Sequence, residues 1–314
     1  MIRNGIENKE RMTVLAGIYQ ILQTPFTNGG DIDWTSLARQ IDYCMAGGVH
    51  GLVTPALASE FFTLSDSERK QLVAYTGKQI AGRVPYVVSV QGLNLKLALD
   101  FAEQACQHEA TALMAMPPYL RKASKPGVQE YYRQLADFER PLIIQNAPAP
   151  IGTPLSPREL AELLAAESNI QYIKEETIPI LQHISQILEL DVGDCLGVFG
   201  GANGIYLIDE LRRGACGNMP AGGMVDVQVK IYDLYRAGNV QEAERIHFRL
   251  LPLLNYAMVY GVSLHKYVLW RRGVIDSPYT RDPQKISLNQ DDIRAVESLW
   301  QRIADHTVAE FPFV

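Results

Sequence analysis

The chain has 314 residues, of which 47% are hydrophobic and 20% are charged, and its formal net charge at pH 7 is -6. These values are typical of a soluble globular protein with one large domain, and the absence of a Lys/Arg-rich run argues against a nucleic-acid partner. No apolar stretch approaches the roughly 20 residues of a membrane helix, and the N-terminus lacks the apolar core of a signal peptide. The histidines and cysteines show no metal-ligand spacing. We therefore expect a cytoplasmic protein without nucleic-acid, membrane or metal partners.

Segments typical of strands and of helices alternate along most of the chain. The first predicted strand lies in VLAGIYQIL, and a helix follows it from Trp34. Strand GVHGLVT comes next, and Ser65 with Glu68 forms the capping box of the second helix. Further strands are predicted at 84–90, 112–116, 142–144, 169–174, 195–199 and 215–219. Further helices are predicted at 94–106, 128–135, from 156, and at 178–188, 203–213 and 225–237.

Eight strand-helix cycles are the number that closes a parallel barrel, so we predict an α/β fold, a (β/α)8 TIM barrel. A doubly wound α/β sheet is the alternative, although no GxGxxG follows the first strand. From Val240 onward, three helical stretches have no strand between them. We place the barrel core at residues 1–222, and the last barrel helix with a C-terminal helical extension at 223–314, in one continuous globular unit. Within the extension we expect Lys266, Arg271 and Arg272 to lie on a solvated helix face.

The sixth predicted strand ends in a charged run, Lys174-Glu175-Glu176. Catalytic groups of such barrels come from the carboxyl ends of the strands, and Lys174 is the one cation at these ends. A lysine removed from water is either paired or loses its proton, and a neutral amine can form a Schiff base with a ketone. A purely structural lysine paired with a neighbouring glutamate is the alternative. Because strand residues alternate in direction, Glu176 is expected on the side of Lys174 if the strand continues.

The motifs at the strand ends resemble a known family. The layout GVHGLV, a Ser-Glu pair before TLS, then PPY, QNAP and IKEET is similar to that of the dihydrodipicolinate synthase and N-acetylneuraminate lyase family of class I aldolases. The resemblance runs from about Val14 to Ala304, and it places the family's Schiff-base lysine at Lys174. It implies a lyase that acts on a small 2-keto acid, needs no cofactor beyond the covalent imine, and assembles as a homo-oligomer, either a tetramer or a dimer.

Two motifs depart from the family pattern. Where the family has GTTGE, this chain has ALASE from Ala56 to Glu60. Where the family has YNVPxR, this chain has QNAPAP. Gln145 therefore occupies the position of the family's proton-relaying tyrosine, and Pro150 occupies the position of the arginine that binds an aldehyde's carboxylate. An amide is no general acid or base at neutral pH, which argues against dihydrodipicolinate synthesis and against standard sialic-acid cleavage.

The patterns AMPPY, QNAPA and IKxET are instead similar to the branch that includes L-2-keto-3-deoxyarabonate dehydratase. In the implied reaction, Lys174 forms an imine at C2 of a sugar-derived 2-keto-3-deoxy acid. A C3 proton then leaves, and the C4 hydroxyl is expelled as water. Glu60, Tyr119 and Glu176 are the candidate proton carriers. Retro-aldol release of pyruvate is the alternative reaction, and a keto-acid-binding protein without turnover is the alternative class.

Further residues at the strand ends are candidate substrate-binding residues. The resemblance implies an anion site for the substrate carboxylate at Ala58 and Ser59, where a plain turn is the alternative. Tyr119 is expected to line the pocket or to fill the barrel top. Gln145 is expected to hydrogen-bond a substrate oxygen or a water, and Asn146 to bind substrate or hold its loop. The remaining candidates are Gly201, Asn218 and Met219.

Overall fold

The computed structural model describes residues 14–149, 152–190 and 195–314. Eight parallel strands close into a barrel in sequence order, and β8 pairs with β1. The strands are β1 Gly17–Ile21, β2 Gly51–Thr54, β3 Tyr86–Ser89, β4 Ala112–Ala115, β5 Leu142–Asn146, β6 Ile170–Glu175, β7 Gly197–Gly200 and β8 Gly217–Asn218. The predicted (β/α)8 barrel is therefore confirmed.

Eight helices follow the strands and surround the barrel. They are α1 Trp34–Ala46, α2 Asp66–Ile80, α3 Leu95–Gln107, α4 Lys125–Ala136, α5 Pro157–Ala166, α6 Ile180–Glu189, α7 Leu207–Arg212 and α8 Val225–Arg236. The predicted capping box of α2 is present, since the Ser65 hydroxyl accepts from the Glu68 amide and the Glu68 carboxylate accepts from the Ser65 amide. Within the described ranges, no helix combines the length and the apolar composition that a bilayer crossing needs.

The C-terminal extension consists of α9 Val240–Tyr260, α10 Val262–Arg271 and α11 Gln290–Trp300. Its apolar faces join the cluster that lies between the strands and the outer helices, through residues such as Leu250, Leu264 and Trp300. The extension therefore packs on the outer ring, as predicted. The boundary at residue 222 stays a prediction, because α8 belongs to the barrel and packs directly against α9.

Alternation along the strands divides the core into two layers. Tyr172 of β6 lies in the cluster that fills the barrel interior, and its neighbour Ile173 lies in the cluster under the helices. The predicted strand 142–144 is shorter than β5, which continues to Asn146 because Gln145 pairs with Lys174 and Asn146 with Glu175 of β6. The QNAP motif therefore begins on a strand and its first side chain points into the barrel.

The solvated face predicted for HKYVLWRRG was wrong for two of its three cations. Lys266 and Arg272 are buried, with 0% and 1% of their surfaces exposed. Arg272 donates to both carboxylate oxygens of Asp226, at 3.0 and 2.7 Å, and to the Tyr43 hydroxyl at 2.8 Å. Buried charges persist where partners satisfy them, and these partners lie far away in the sequence.

Candidate active site

The side chain of Lys174 lies inside the barrel at the carboxyl end of β6, and only 2% of it is exposed. Its Nζ lies 3.2 Å from Oε1 of Glu176, the residue that follows the strand. Glu176 thus lies on the side of Lys174, as the alternation predicted. A buried ammonium needs a carboxylate or a lost proton, and Glu176 is its acidic partner within 4 Å in the described part of the chain.

Gln145 binds the same carboxylate from the neighbouring strand. Its Nε2 donates to Oε2 of Glu176 at 2.8 Å, so one carboxylate bridges the amide and the amine of Lys174. Gln145 is fully buried, and its Oε1 has no hydrogen-bond partner among the described residues. An ionised carboxylate only accepts hydrogen bonds, so the amide nitrogen faces Glu176 and the amide oxygen is left as a free acceptor.

Gly201, just after β7, lies directly against Glu176. A Cβ at Gly201 would stand 2.4 Å from Cγ of Glu176, which is too close for any side chain. The Gly201 carbonyl accepts from Nδ2 of Asn218 at 3.0 Å, and the same nitrogen donates to Oε2 of Glu210 at 2.8 Å. Asn218 therefore holds the backbone that confines the carboxylate of Glu176.

Two other buried glutamates lie behind the barrel mouth. Burial raises the pKa of Glu210 on α7 to about 8, against an opposing hydrogen bond from Asn218. Burial also raises the pKa of Glu175 to about 7, against opposing hydrogen bonds from Asn146 and Thr177. Sequence analysis missed Glu210, although its position three residues after the buried Leu207 places both on one face of the helix.

Asn146 and Ser59 hold their own loops. Asn146 donates to the Leu155 carbonyl at 2.9 Å and to Glu175 at 2.7 Å, and it accepts from the Leu155 amide at 2.8 Å. The Ser59 hydroxyl donates to a carbonyl oxygen just after β1 at 2.5 Å and accepts from the Ala56 amide at 3.0 Å. Both side chains use their donors within the protein, so the loop-holding alternative accounts for their contacts.

Glu60 contacts the C-terminal extension. It ends the ALASE motif in residues 56–63, the segment after β2 that we call the β2 loop, and it is fully buried. One carboxylate oxygen pairs with Nζ of Lys266, and the other accepts from Thr280 Oγ1 at 2.5 Å and from the amides of Arg281 and Asp282 at 2.8 and 2.9 Å. These contacts give no support to Glu60 as a proton carrier.

Three further candidates contribute apolar or aromatic surface. Ala58 packs against the cluster inside the barrel, and Met219 belongs to that cluster. Tyr119 is partly buried, with its ring centroid 6.1 Å from that of Phe61. Burial raises the pKa of the Tyr119 hydroxyl, and the positive charge of Arg69 acts against this rise. Tyr119 therefore combines a titratable group with a place in the loop that follows β4.

The model of the dihydrodipicolinate synthetase family matches residues 14–302 of this chain. The chain belongs to this family. It is a lyase, a Schiff-base-forming member that acts on keto acids. The resemblance of the strand-end motifs is thereby confirmed.

Members of the dihydrodipicolinate synthetase family with different reactions are similar to this chain. L-2-Keto-3-deoxyarabonate dehydratase of Azospirillum brasilense is 31% identical over 273 residues, which cover 85% of this chain and 88% of the relative. 4-Hydroxy-tetrahydrodipicolinate synthase of Methanospirillum hungatei JF-1 is 30% identical over 248 residues, 78% of this chain and 84% of the relative. The structure of dihydrodipicolinate synthase from Rhodopseudomonas palustris superposes with a TM-score of 0.84 at 25% identity, covering 91% of this chain and 97% of that one.

The structure describes one of the two substitutions in the QNAPAP motif. Gln145, in place of the relay tyrosine, is bound to Glu176 rather than free to exchange protons with substrate. Pro150, in place of the arginine, lies outside the described residues. In this chain a carboxylate on the residue after β6 therefore lies beside the β5 position at which the family has its tyrosine.

Proposed function

We propose that this lyase dehydrates a sugar-derived 2-keto-3-deoxy acid, similar to 2-keto-3-deoxyarabonate, through an imine at Lys174. The observation that carries the proposal is the carboxylate of Glu176, which lies 3.2 Å from the Lys174 amine and 2.8 Å from the Gln145 amide. A carboxylate at this place is a proton carrier next to the reacting carbons, where the family's tyrosine is missing.

Glu176 can serve each proton transfer in turn. It takes a proton from Lys174, so that the neutral amine attacks C2 of the substrate. The C2 oxygen then receives one proton from the amine and the proton that Glu176 returns, and it leaves as water to give the protonated imine. The protonated imine withdraws electrons, and Glu176 removes a proton from C3 to give the enamine. The enamine electrons then form the C3–C4 double bond, and the C4 hydroxyl leaves as water with the proton that Glu176 returns. Water finally hydrolyses the imine and frees Lys174.

The free oxygen of Gln145 supports a hydroxylated substrate. Its Oε1 is a buried acceptor without a donor in the described residues, so it suits a hydroxyl group and not a second carbonyl or carboxylate oxygen. A site built around a substrate hydroxyl binds analogues without it more weakly, because the buried group is then left unpaired. Pyruvate has no such hydroxyl, whereas a 2-keto-3-deoxy sugar acid does.

The roles of the other candidates follow from their contacts. Tyr119 stays the second candidate for proton transfer, and Ala58, Gly201 and Met219 stay candidates for the pocket wall. We assign Ser59, Asn146 and Asn218 to positioning, because their hydrogen-bond donors bind protein groups. A homo-oligomer, tetramer or dimer, and a cytoplasmic location complete the proposal; light scattering of the purified protein tests the former.

Turnover of a panel of 2-keto-3-deoxy acids tests the proposed reaction. Product mass separates loss of water from carbon–carbon cleavage, which the same imine supports as the alternative. Borohydride with pyruvate tests the imine itself: we expect a reduced adduct on Lys174, and none in Lys174→Ala. Failure of the wild-type chain to form an adduct with several keto acids would contradict the imine, and pyruvate release from the panel would replace dehydration by retro-aldol cleavage.

A further inference from the structure

We propose that the C-terminal extension is a working part of the active site, in which Lys266 and Glu60 are positioning residues that hold the β2 loop at the barrel mouth. The two side chains form a buried ion pair between α10 and this loop. Thr280, which binds the same carboxylate, is 220 residues away from Glu60 in the sequence. The pair therefore joins the extension to the strand ends where substrate binds.

The backbone of Glu60 shows that the loop conformation depends on these contacts. Its φ of 58° and ψ of 35° are left-handed, which is uncommon for a residue other than glycine. Such a conformation persists where surrounding contacts determine it. Here the carboxylate has Lys266, a hydroxyl and two amides as partners, and all four belong to residues 266–282 of the extension.

Lys266 has few partners besides this carboxylate. Its Nζ donates to the Tyr279 carbonyl at 2.9 Å and lies 4.2 Å from the centroid of the Phe26 ring. The side chain is fully buried, and burial lowers its pKa to about 8, against the attraction of Glu60. Loss of either partner would leave the other buried without its counter-charge, whereas loss of both leaves no lone buried charge.

The residues next to Glu60 in the β2 loop pack against the active site. Ala58 packs against the cluster inside the barrel, and Phe61 packs with Met116, Ala147 and Tyr119 at the mouth. Glu60 lies between them in the sequence, and its side chain points away from the barrel and binds the extension. Release of its carboxylate would therefore loosen both Ala58 and the aromatic support of Tyr119, without any change in Lys174 or Glu176.

Hydrogen exchange of the β2 loop tests directly whether the Lys266–Glu60 ion pair holds this loop. The measurement does not depend on which reaction the enzyme performs. We expect Lys266→Met to increase amide exchange in residues 56–63 by about ten-fold or more relative to the wild type. Lys285→Met is the matched control, because Lys285 is an exposed lysine of the same extension. The double variant Lys266→Met/Glu60→Gln should exchange more slowly than Lys266→Met alone, since no lone charge remains.

Equal exchange of residues 56–63 in wild type and in folded Lys266→Met would overturn the proposal. If Lys266→Met does not fold, Glu60→Gln provides the same test, because it keeps the shape of the side chain and removes its charge. Unchanged exchange in that variant overturns the proposal as well.

A second readout rests on the proposed imine. The pyruvate concentration that gives half-maximal borohydride trapping on Lys174 should rise about ten-fold in Lys266→Met, and stay unchanged in Lys285→Met. No trapping in the wild type would count against the proposed function alone, and the exchange data would still test whether the ion pair positions the β2 loop. Trapping with equal half-saturation in wild type and Lys266→Met would contradict this positioning role and would leave imine formation at Lys174 supported.

Discussion

Oε1 of Glu176 lies 3.2 Å from Nζ of Lys174, and its other oxygen accepts from Gln145 at 2.8 Å. The candidate nucleophile and the candidate proton carrier are thus two residues apart on one strand end. The candidate proton carrier is therefore the residue directly after β6, next to the lysine that this strand places inside the barrel.

Glu176→Gln should separate imine formation from dehydration. The amide keeps the size of the side chain but cannot carry a proton, and general acid-base groups typically contribute about 100- to 10,000-fold in rate. We expect kcat to fall by about that factor, while prolonged borohydride treatment still traps pyruvate on Lys174. Glu189→Gln, an exposed glutamate at the end of α6, is the control and should turn over normally. Wild-type kcat in Glu176→Gln would remove the carboxylate from the mechanism.

Gln145→Leu should change substrate preference more than imine chemistry. The variant loses the free acceptor, and a buried hydroxyl without its partner costs about 1–3 kcal/mol, or roughly ten- to hundred-fold. We expect kcat/KM for the hydroxylated substrate to fall by about this factor. The half-saturating pyruvate concentration for trapping should change less, because pyruvate has no hydroxyl to bind. An equal loss for both compounds would speak against hydroxyl recognition by Gln145.

Gly201→Ala should displace the carboxylate of Glu176. A Cβ at this position would be 2.4 Å from Cγ of Glu176, so either the loop or the glutamate has to move. Small displacements of catalytic groups can cost about 100-fold in rate, and we expect at least a ten-fold fall in kcat. Gly29→Ala is the matched control, since its added carbon would meet only the Thr27 hydroxyl, at 3.6 Å. Equal kcat in both variants would contradict the close contact.

Glu210→Gln should alter the pH dependence of stability. The folded-state pKa of Glu210, about 8, is above its ordinary value of 4.5, so the folded chain binds a proton that the unfolded chain has released between these values. Its contribution to stability is complete below about pH 4.5 and is lost as the pH rises through about 8. We expect the Tm of Glu210→Gln minus that of the wild type to grow by several degrees between about pH 5 and pH 9. Thermal unfolding at constant ionic strength measures this difference, and a difference independent of pH would contradict burial of a protonated Glu210.

The fold and the place of Lys174 at the barrel mouth could be predicted because they depend on local patterns. Alternating strands and helices fix a barrel almost by their number, and a lysine at the end of a buried strand has few structural explanations. The prediction that Glu176 lies on the same side as Lys174 followed from the two-residue period of a strand. These inferences need only neighbours in sequence.

The partners of buried charges could not be predicted, since they come from distant parts of the chain. Lys266 and Arg272 stand in a helix whose charges suggest solvent, and only the contacts with Glu60 and Asp226 explain their burial. The partners of Glu60 could not be predicted for the same reason. The free oxygen of Gln145 likewise depends on a side chain of the adjacent strand.

The partners of Glu60 also set an order of events during synthesis. Chains emerge from the ribosome N-terminus first, so the β2 loop is made early, while the residues that bind its glutamate, 266–282, are made only after all eight strands. A nascent chain that already contains all eight strands and Lys174 still has an unpaired Glu60 in its β2 loop. The carboxylate of Glu60 therefore gains its partners only when the C-terminal extension docks on the β2 loop.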